Sequence, residues 1–276
     1  MEPKRMRTRH AQTGFRLCIL LCVGSTPGVA SAGAALSGNL ALVSDYLFRG
    51  LSQTWGGPAL QGGVDWNAGR WHVGSWASNV SRNSYPGGGA ELDLYGDVGL
   101  FQHGDWSARA GLYGYLYPGA NLDHARPALG SRRLDTLEAN IALTWKDWTL
   151  KYSRSLSDYF GADVEQGYAH DTRGTEYLQL DGNVPLSTRW SLHLHAGRTH
   201  YASRLLTPLA NGADNPDYTD VSLAANCTID AHWSLGMTVG RAGNDAFYAH
   251  VVSFNNPGAQ KNLGGTRAVL SVSATF

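Results

Sequence analysis

The chain has 276 residues, which is enough for one large domain or two small ones. Lys and Arg together number 22, and Asp and Glu also number 22, so the formal net charge is zero and no basic field favours nucleic acid as a partner. Glycine is abundant, with 34 residues against a usual share of about 7%, which suits tight turns and the narrow interior of a small barrel.

The N-terminus is typical of a secretion signal. Basic residues come first, an apolar segment follows at 17–23, and residues 30–32 form a small-residue cleavage site. The apolar segment is shorter than the about 20 residues that a membrane-spanning helix needs, although an uncleaved anchor is the alternative. We therefore predict a cleaved signal peptide over 1–32 and a single domain over 33–276. Cys227 is the one cysteine of that domain, which excludes an intrachain disulfide.

Apolar and polar residues then alternate in segment after segment, as in β-strands with one apolar face. The clearest case is 60–68, where Leu60, Val64 and Trp66 share one face and Asp65 lies on the other. Twelve such segments are predicted, at residues 39–49, 60–68, 71–80, 91–100, 106–116, 136–144, 148–153, 177–184, 190–196, 220–227, 233–239 and 267–276.

The faces of two segments follow from parity. In the first, Tyr46 and Phe48 share the parity of Leu42, so they are predicted on its apolar face. In the third, Trp71 and Trp76 have opposite parity, so the orientation of that strand stays open.

Short and long connections alternate between the segments. The short ones are 69–70, 102–105, 146–147, 186–189 and 230–232, and the long ones are 51–58, 82–90, 118–134, 157–174, 200–217 and 242–265. Seven tryptophans adjoin the short connections: Trp66, Trp71, Trp106, Trp145, Trp148, Trp190 and Trp233. Bacterial outer-membrane barrels have short periplasmic turns, longer external loops and aromatic girdles. We therefore predict that these seven form a periplasmic aromatic girdle.

Alternation alone also fits a soluble sandwich, in which the apolar face points inward. Three features favour the membrane barrel: the tryptophans at one rim, the loop asymmetry and the aromatic Phe276 at the end of an alternating strand. An even number of strands places both termini in the periplasm. The predicted fold is all-β, a single twelve-stranded antiparallel transmembrane barrel of the outer-membrane type.

Five segments in the first half of the chain carry a family pattern. They are SDYLFRGLSQT at 44–54, PALQG at 58–62, WASNV at 76–80, ELDLYG at 91–96 and YLYPG at 115–119. This pattern resembles the TorF family, exported proteobacterial proteins grouped as porins. The resemblance implies an outer-membrane channel but no particular solute. The chain departs from the family in its long final connection and in Arg126, Arg132 and Arg133, so no loop function carries over.

Charged residues are predicted on the inner face of the barrel. The predicted pore-lining residues are Asp45, Arg49, Asp65, Glu91, Asp93, Asp97, Arg109, Glu138, His193 and His195, with Lys151 and Asp181 on the same face. Opposed acidic and basic residues create a field across a pore and set its width. We predict that Arg49 faces Asp93 or Asp97 in this way. The alternative is that such pairs only brace the barrel interior.

Other chemistry is weakly indicated. His193 and His195 have a spacing that can hold a transition metal if further ligands converge, but polar lumen histidines are the favoured interpretation. Asp214, Asp217 and Asp220 lack the spacing of an EF-hand. There is no Gly-x-Ser-x-Gly elbow for a nucleophile. We predict no catalytic residue, no metal site and no cofactor.

The sequence therefore predicts a protein of the outer membrane that lets small hydrophilic solutes diffuse through passively. Its expected partners are outer-membrane lipid and the barrel-assembly machinery, which would read Phe276, but not nucleic acid. Two alternatives remain: a non-conducting barrel that acts through its long loops as an adhesin or receptor, and a lipid-hydrolysing enzyme at the rim.

Overall fold

The computed structural model describes residues 34–276, so the predicted signal peptide lies outside the described residues. Twelve antiparallel strands close into one barrel, which confirms the predicted fold class. The strands are β1 (Ala35–Val43), β2 (Ala59–Ala68), β3 (Trp71–Asn79), β4 (Ala90–His103), β5 (Trp106–Leu116), β6 (Thr136–Trp145), β7 (Trp148–Ser155), β8 (Glu176–Pro185), β9 (Trp190–His200), β10 (Tyr218–Thr228), β11 (Trp233–Ala242) and β12 (Gly265–Thr275).

Every strand pairs with its neighbours in the chain, and β1 closes the barrel against β12. This closing seam has five residue pairs, from Asn39 with Thr275 to Val43 with Ser271, whereas β7 and β8 share seven and β4 and β5 share eleven. Beyond the seam, the backbones of Gly38 and Phe276 exchange hydrogen bonds of 3.1 and 2.9 Å. Closure leaves no free strand edge in the wall, so the backbone polar groups are satisfied within it.

The outer surface of the wall is apolar. Leu94, Leu194 and Leu270 all point outward, and Leu94 is 50% exposed. Most of the residues next to them in sequence point inward and are polar, as with the buried Asp93 and His193, whereas Val269 beside Leu270 is apolar. An exposed apolar band around the whole wall is unfavourable in water. It is the arrangement of a barrel whose outer face contacts hydrocarbon.

The third strand, whose orientation the sequence left open, has a defined inner face. Trp71 and Val73 are exposed on the outside, and Trp76 is buried inside. The ring of Trp76 lies 5.4 Å from that of Tyr46 in an edge-to-face arrangement. This contact explains why a large aromatic residue occupies an inward position.

The predicted face of Tyr46 and Phe48 is wrong, because β1 ends at Val43. The chain then leaves the wall and folds into the barrel as a short hairpin, in which Leu47–Phe48 pairs with Leu51–Ser52. We call residues 44–58 the inner hairpin segment. Its turn is Arg49-Gly50, and both residues have positive φ, 48° and 76°, as a two-residue type I′ turn requires.

The inner hairpin segment is held by hydrogen bonds. The hydroxyls of Ser52 and Thr54 donate to Asp45 Oδ1 at 2.7 and 2.9 Å. A Cβ on Gly50 would lie 2.8 Å from the Cβ of Asp220. Glycine is therefore needed at position 50 both for the turn and for its close approach to the wall.

The two rims differ as the sequence predicted. Connections of two to four residues join strands at one rim, and the six long connections are at the other. The seven tryptophans beside the short connections are all exposed on the outer surface at that rim. Among residues 34–276, no helix has the length and hydropathy to cross a membrane.

Aromatic side chains fill the interior toward the rim with the long connections. Tyr46, Tyr113, Tyr115 and Tyr117 are buried there in one cluster, and Phe160 packs against it. The rings of Tyr113 and Tyr115 lie 4.6 Å apart. The lumen is therefore narrow at this level.

Leu94→Arg should destabilise the barrel by about 2–4 kcal/mol in a phospholipid bilayer, because it places a charge in hydrocarbon near mid-height. Leu94 pairs with Ser75, the middle residue of β3. The free energy of unfolding by urea in vesicles measures the effect.

The matched control is Leu206→Arg. Leu206 is 74% exposed on a long connection, so the change there should stay within about 0.5 kcal/mol. Equal effects at the two positions would show that the wall does not contact lipid.

Candidate functional site: the barrel interior

The narrow level of the lumen is crossed by Arg49, at the tip of the inner hairpin segment. Its guanidinium donates to Glu138 Oε1 and Oε2 at 3.0 and 2.8 Å and to the hydroxyl of Tyr159 at 2.8 Å. It also lies 4.0 Å from the ring centre of Tyr177. The side chains of Arg49 and Glu138 are only 7% and 2% exposed. Hairpin, wall and a long connection thus meet at a single ion pair.

Tyr159 stays protonated in this contact. Burial raises the pKa of its phenol well above the ordinary value, and the nearby guanidinium opposes this only in part. The phenol oxygen therefore accepts from Arg49 as a neutral group, and Glu138 remains the counter-charge of the arginine.

The sequence predicted that Arg49 faces Asp93 or Asp97, and this predicted partner is wrong. The prediction assumed that Arg49 continues strand β1, whereas the inner hairpin segment carries the residue across the lumen to β6. Arg49 is inside the barrel as expected, but its counter-ion is Glu138, which the sequence placed on the same inner face.

Asp97 belongs to a second cluster, on strands β2 to β5. His72 lies between two carboxylates, 3.0 Å from Asp65 Oδ1 and 2.7 Å from Asp97 Oδ2. Arg109 Nε also donates to Asp97, and Tyr95 donates to Asp65 at 2.8 Å. Three residues that the sequence singled out, Asp65, Asp97 and Arg109, are therefore brought together here.

His72 was missed because the parity of the third strand was not resolved. Once Trp71 and Val73 are known to face outward, His72 must face inward.

Glu91 and Asp93 form a third, fully buried group on β4. Tyr117 donates to Glu91 Oε1 at 2.9 Å, and Tyr113 donates to Asp93 Oδ2 at 3.1 Å. The other oxygen of each carboxylate has no hydrogen-bond partner among the described residues. Both residues lie on the inner face, but aromatic side chains cover them.

The predicted histidines lie in a fourth group, on β8 to β10. His195 bridges two carboxylates, 2.6 Å from Asp181 Oδ1 and 2.7 Å from Asp220 Oδ2. His193 lies 3.0 Å from Asn183 Oδ1. In the part of the chain that the structure describes, no three His, Cys, Asp or Glu residues are grouped so as to hold a metal ion. In the sequence, Asp220 was considered only with Asp214 and Asp217 as a calcium site, although its parity placed it on the inner face beside His195.

Asp45, the remaining predicted residue, lies where the inner hairpin segment leaves the wall. Its Oδ2 atom accepts a hydrogen bond of 3.3 Å from Nη1 of Arg267 on β12.

Inward-facing carboxylates number eight, at Asp45, Asp65, Glu91, Asp93, Asp97, Glu138, Asp181 and Asp220, against four arginine or lysine residues, Arg49, Arg109, Lys151 and Arg267. Two inward-facing histidines, His72 and His195, each lie between two of these carboxylates, so acidic and basic groups are in close contact throughout the interior.

Comparison with solved structures gives one match that supports the same fold and others of weaker similarity. The chain is similar to the NanC porin at 10% identity with a TM-score of 0.50, covering 87% of this chain and 99% of that one. It is also similar to the KdgM porin, solved in complex with disordered oligogalacturonate (8% identity, TM-score 0.49, 88% and 99% covered). A third match is an outer membrane channel from Pseudomonas putida F1 (14% identity, TM-score 0.47, 91% and 99% covered). The similarity to the NanC porin extends to the fold only, and no conclusion rests on the other two.

No curated protein matches the sequence. A family model described as a bacterial protein of unknown function, Gcw_chp, matches residues 28–276. The match includes all twelve strands and every interior group described above. The chain therefore belongs to the Gcw_chp family of bacterial proteins.

Proposed function

We propose that this protein is a channel of the bacterial outer membrane, through which small hydrophilic solutes diffuse passively. The observation that carries the proposal is the polarity of the closed wall, with leucines such as Leu94 and Leu270 outside and charged groups inside. Charged residues at membrane depth are tolerated where they face water or one another, and they often mark a solute path. The five sequence segments that resemble TorF-type porins support the same class.

In this proposal the rim with the seven tryptophans faces the periplasm and the long connections face outward. The signal peptide at 1–32 directs export and is then removed. Phe276 closes the last strand, is exposed and would be read by the barrel-assembly machinery. Outer-membrane lipid covers the leucine-rich wall.

Conduction through this barrel is selective or slow. A twelve-stranded barrel has a narrower lumen than a 16-stranded porin, and the ion pair of Arg49 with Glu138 spans the narrow level. Arg49 and Glu138 are in direct contact, so a solute passes beside this ion pair and not between its two side chains.

The same ion pair favours the second candidate function, a non-conducting barrel that acts through its long loops as an adhesin or receptor. If Arg49 closes the lumen permanently, only the outer surface of the loops remains for binding. A lipid-hydrolysing enzyme at the rim is the third and weakest candidate.

Purified protein in liposomes should allow swelling in arabinose, with rates that fall steeply as the solute grows to a disaccharide. The narrow lumen is the physical reason for the steep size dependence. Folded protein that gives no swelling with any solute would favour the receptor, and release of fatty acid from pure vesicles would favour the enzyme.

Arg49→Ala should raise single-channel conductance roughly twofold and shift selectivity toward cations, because it widens the narrow level and leaves Glu138 without its counter-ion. Planar-bilayer recording measures both quantities.

Arg198→Ala is the control, since Arg198 is exposed on the outside of β9 and its loss should leave both unchanged. Unchanged conductance and selectivity in the Arg49 variant would remove this residue from the constriction.

A further inference from the structure

A cavity of about 210 Å³ lies at the mouth of the barrel, directly above the narrow level. All six long connections contribute to its wall, and its floor includes Phe48 and Tyr159. The guanidinium of Arg49 lies 4.9 and 5.7 Å from the centres of these two rings. A solute that enters from the side of the long connections therefore meets this cavity before it meets the ion pair.

Nine of the nineteen residues that line the cavity are aromatic, five are aliphatic and five are polar. Phe160, Tyr201 and Phe247 stand around it on three different connections, and all three are half-buried. The hydroxyls of other lining tyrosines are turned to the protein: Tyr85 donates to Gln53 and Tyr248 to the carbonyl of Pro216. With these hydroxyls satisfied, the two tyrosines offer ring faces and edges to a ligand, next to polar side chains such as Asn83 and Gln166.

Phe160, whose ring is part of this wall, has a strained backbone conformation. Its φ is 52°, a left-handed conformation that is uncommon for a bulky residue and costs of order 1–3 kcal/mol. The following Gly161 also has positive φ, and the amide of Phe160 donates to Thr136 Oγ1 at 2.7 Å. The ring packs edge-on against Phe48 at 5.5 Å. Strain of this kind persists where the surrounding structure enforces it, often at ligand sites.

The cavity has room for one aromatic ring, and the rest of a larger ligand would extend from its open side. An apolar cavity of roughly 150 Å³ accepts a benzene molecule, and aromatic rings gain additional attraction when they stack or meet edge to face. We propose that this cavity binds solutes with a single aromatic ring, and that it is the recognition site of the channel. The role of the cavity in transport rests on the proposed function, but the binding itself does not.

Charge also limits which aromatic molecules the cavity binds. None of the residues that the structure shows lining the cavity carries a charge. Ring faces attract cations and repel anions. The cavity therefore takes neutral or cationic aromatic molecules and disfavours aromatic carboxylates.

The test is isothermal titration of the folded, full-length mature protein in a neutral detergent. The probes are benzylamine, cyclohexylmethylamine and benzoate. Benzylamine and its saturated analogue have equal charge and similar size, so their comparison isolates the ring. Benzylamine should bind about fivefold more tightly than cyclohexylmethylamine and at least about tenfold more tightly than benzoate.

Variants locate the binding. Phe160→Leu and Phe247→Leu keep an apolar side chain but remove a ring from two sides of the cavity, and each should weaken benzylamine binding about fivefold. Phe101→Leu is the matched control, because Phe101 is exposed on β4 on the outside of the barrel. If Phe160→Leu does not fold, the Phe247 variant decides.

Swelling in arabinose with the same preparation separates this inference from the proposed function. Equal affinities for the two amines, or no effect of either variant, would overturn the aromatic site while leaving a swelling channel intact. Ring-dependent binding by a protein that gives no swelling would uphold the site and overturn the channel, making the cavity that of a receptor.

Discussion

The structure depends on one constraint: a strand wall with an apolar outer surface must satisfy its backbone polar groups within itself. The twelve seams do so by closing. Closure then dictates where charge can go, because each strand has only two faces and one is apolar. Groups as different as His72, His195 and Glu138 share the enclosed side for this reason. The clusters of charge in the lumen are a consequence of the wall.

The inner hairpin segment folds into the barrel and narrows its lumen. A buried ion pair is stabilising only when its remaining hydrogen-bonding groups are also satisfied. Arg49 meets this condition, since Glu138 accepts two of its hydrogen bonds, Tyr159 accepts another and Tyr177 covers its face. The hairpin tip is thus bound to two separate parts of the molecule. Its position decides both the narrow level and the floor of the aromatic cavity.

Much of the wall was predictable because period-two alternation reports the local backbone directly. The strands, the two unlike rims and the inward placement of Asp65, Asp97, Arg109 and Glu138 all follow from it. The partner of Arg49 did not follow, because parity has meaning only while the chain stays in the wall, and β1 ends at Val43. Arg49-Gly50 is compatible with a turn, yet nothing in these residues says that the turn points inward. The aromatic cavity is equally hidden, since its residues come from six separate connections.

The seam between β1 and β12 has one more consequence. With five paired residues, flanked by the backbone hydrogen bonds of Gly38 with Phe276 and of Ser44 with Leu270, it has the shortest strand ladder of the twelve. It is also the single pairing in the barrel between strands far apart in the chain, and it can form only after both strands have taken their places in the wall. Lateral opening of the cylinder, whether during insertion or on heating, would therefore begin there. The first backbone groups to lose their partners would be the amides and carbonyls of Leu40 and Leu42, because alternate residues of β1 bond to β12 and to β2.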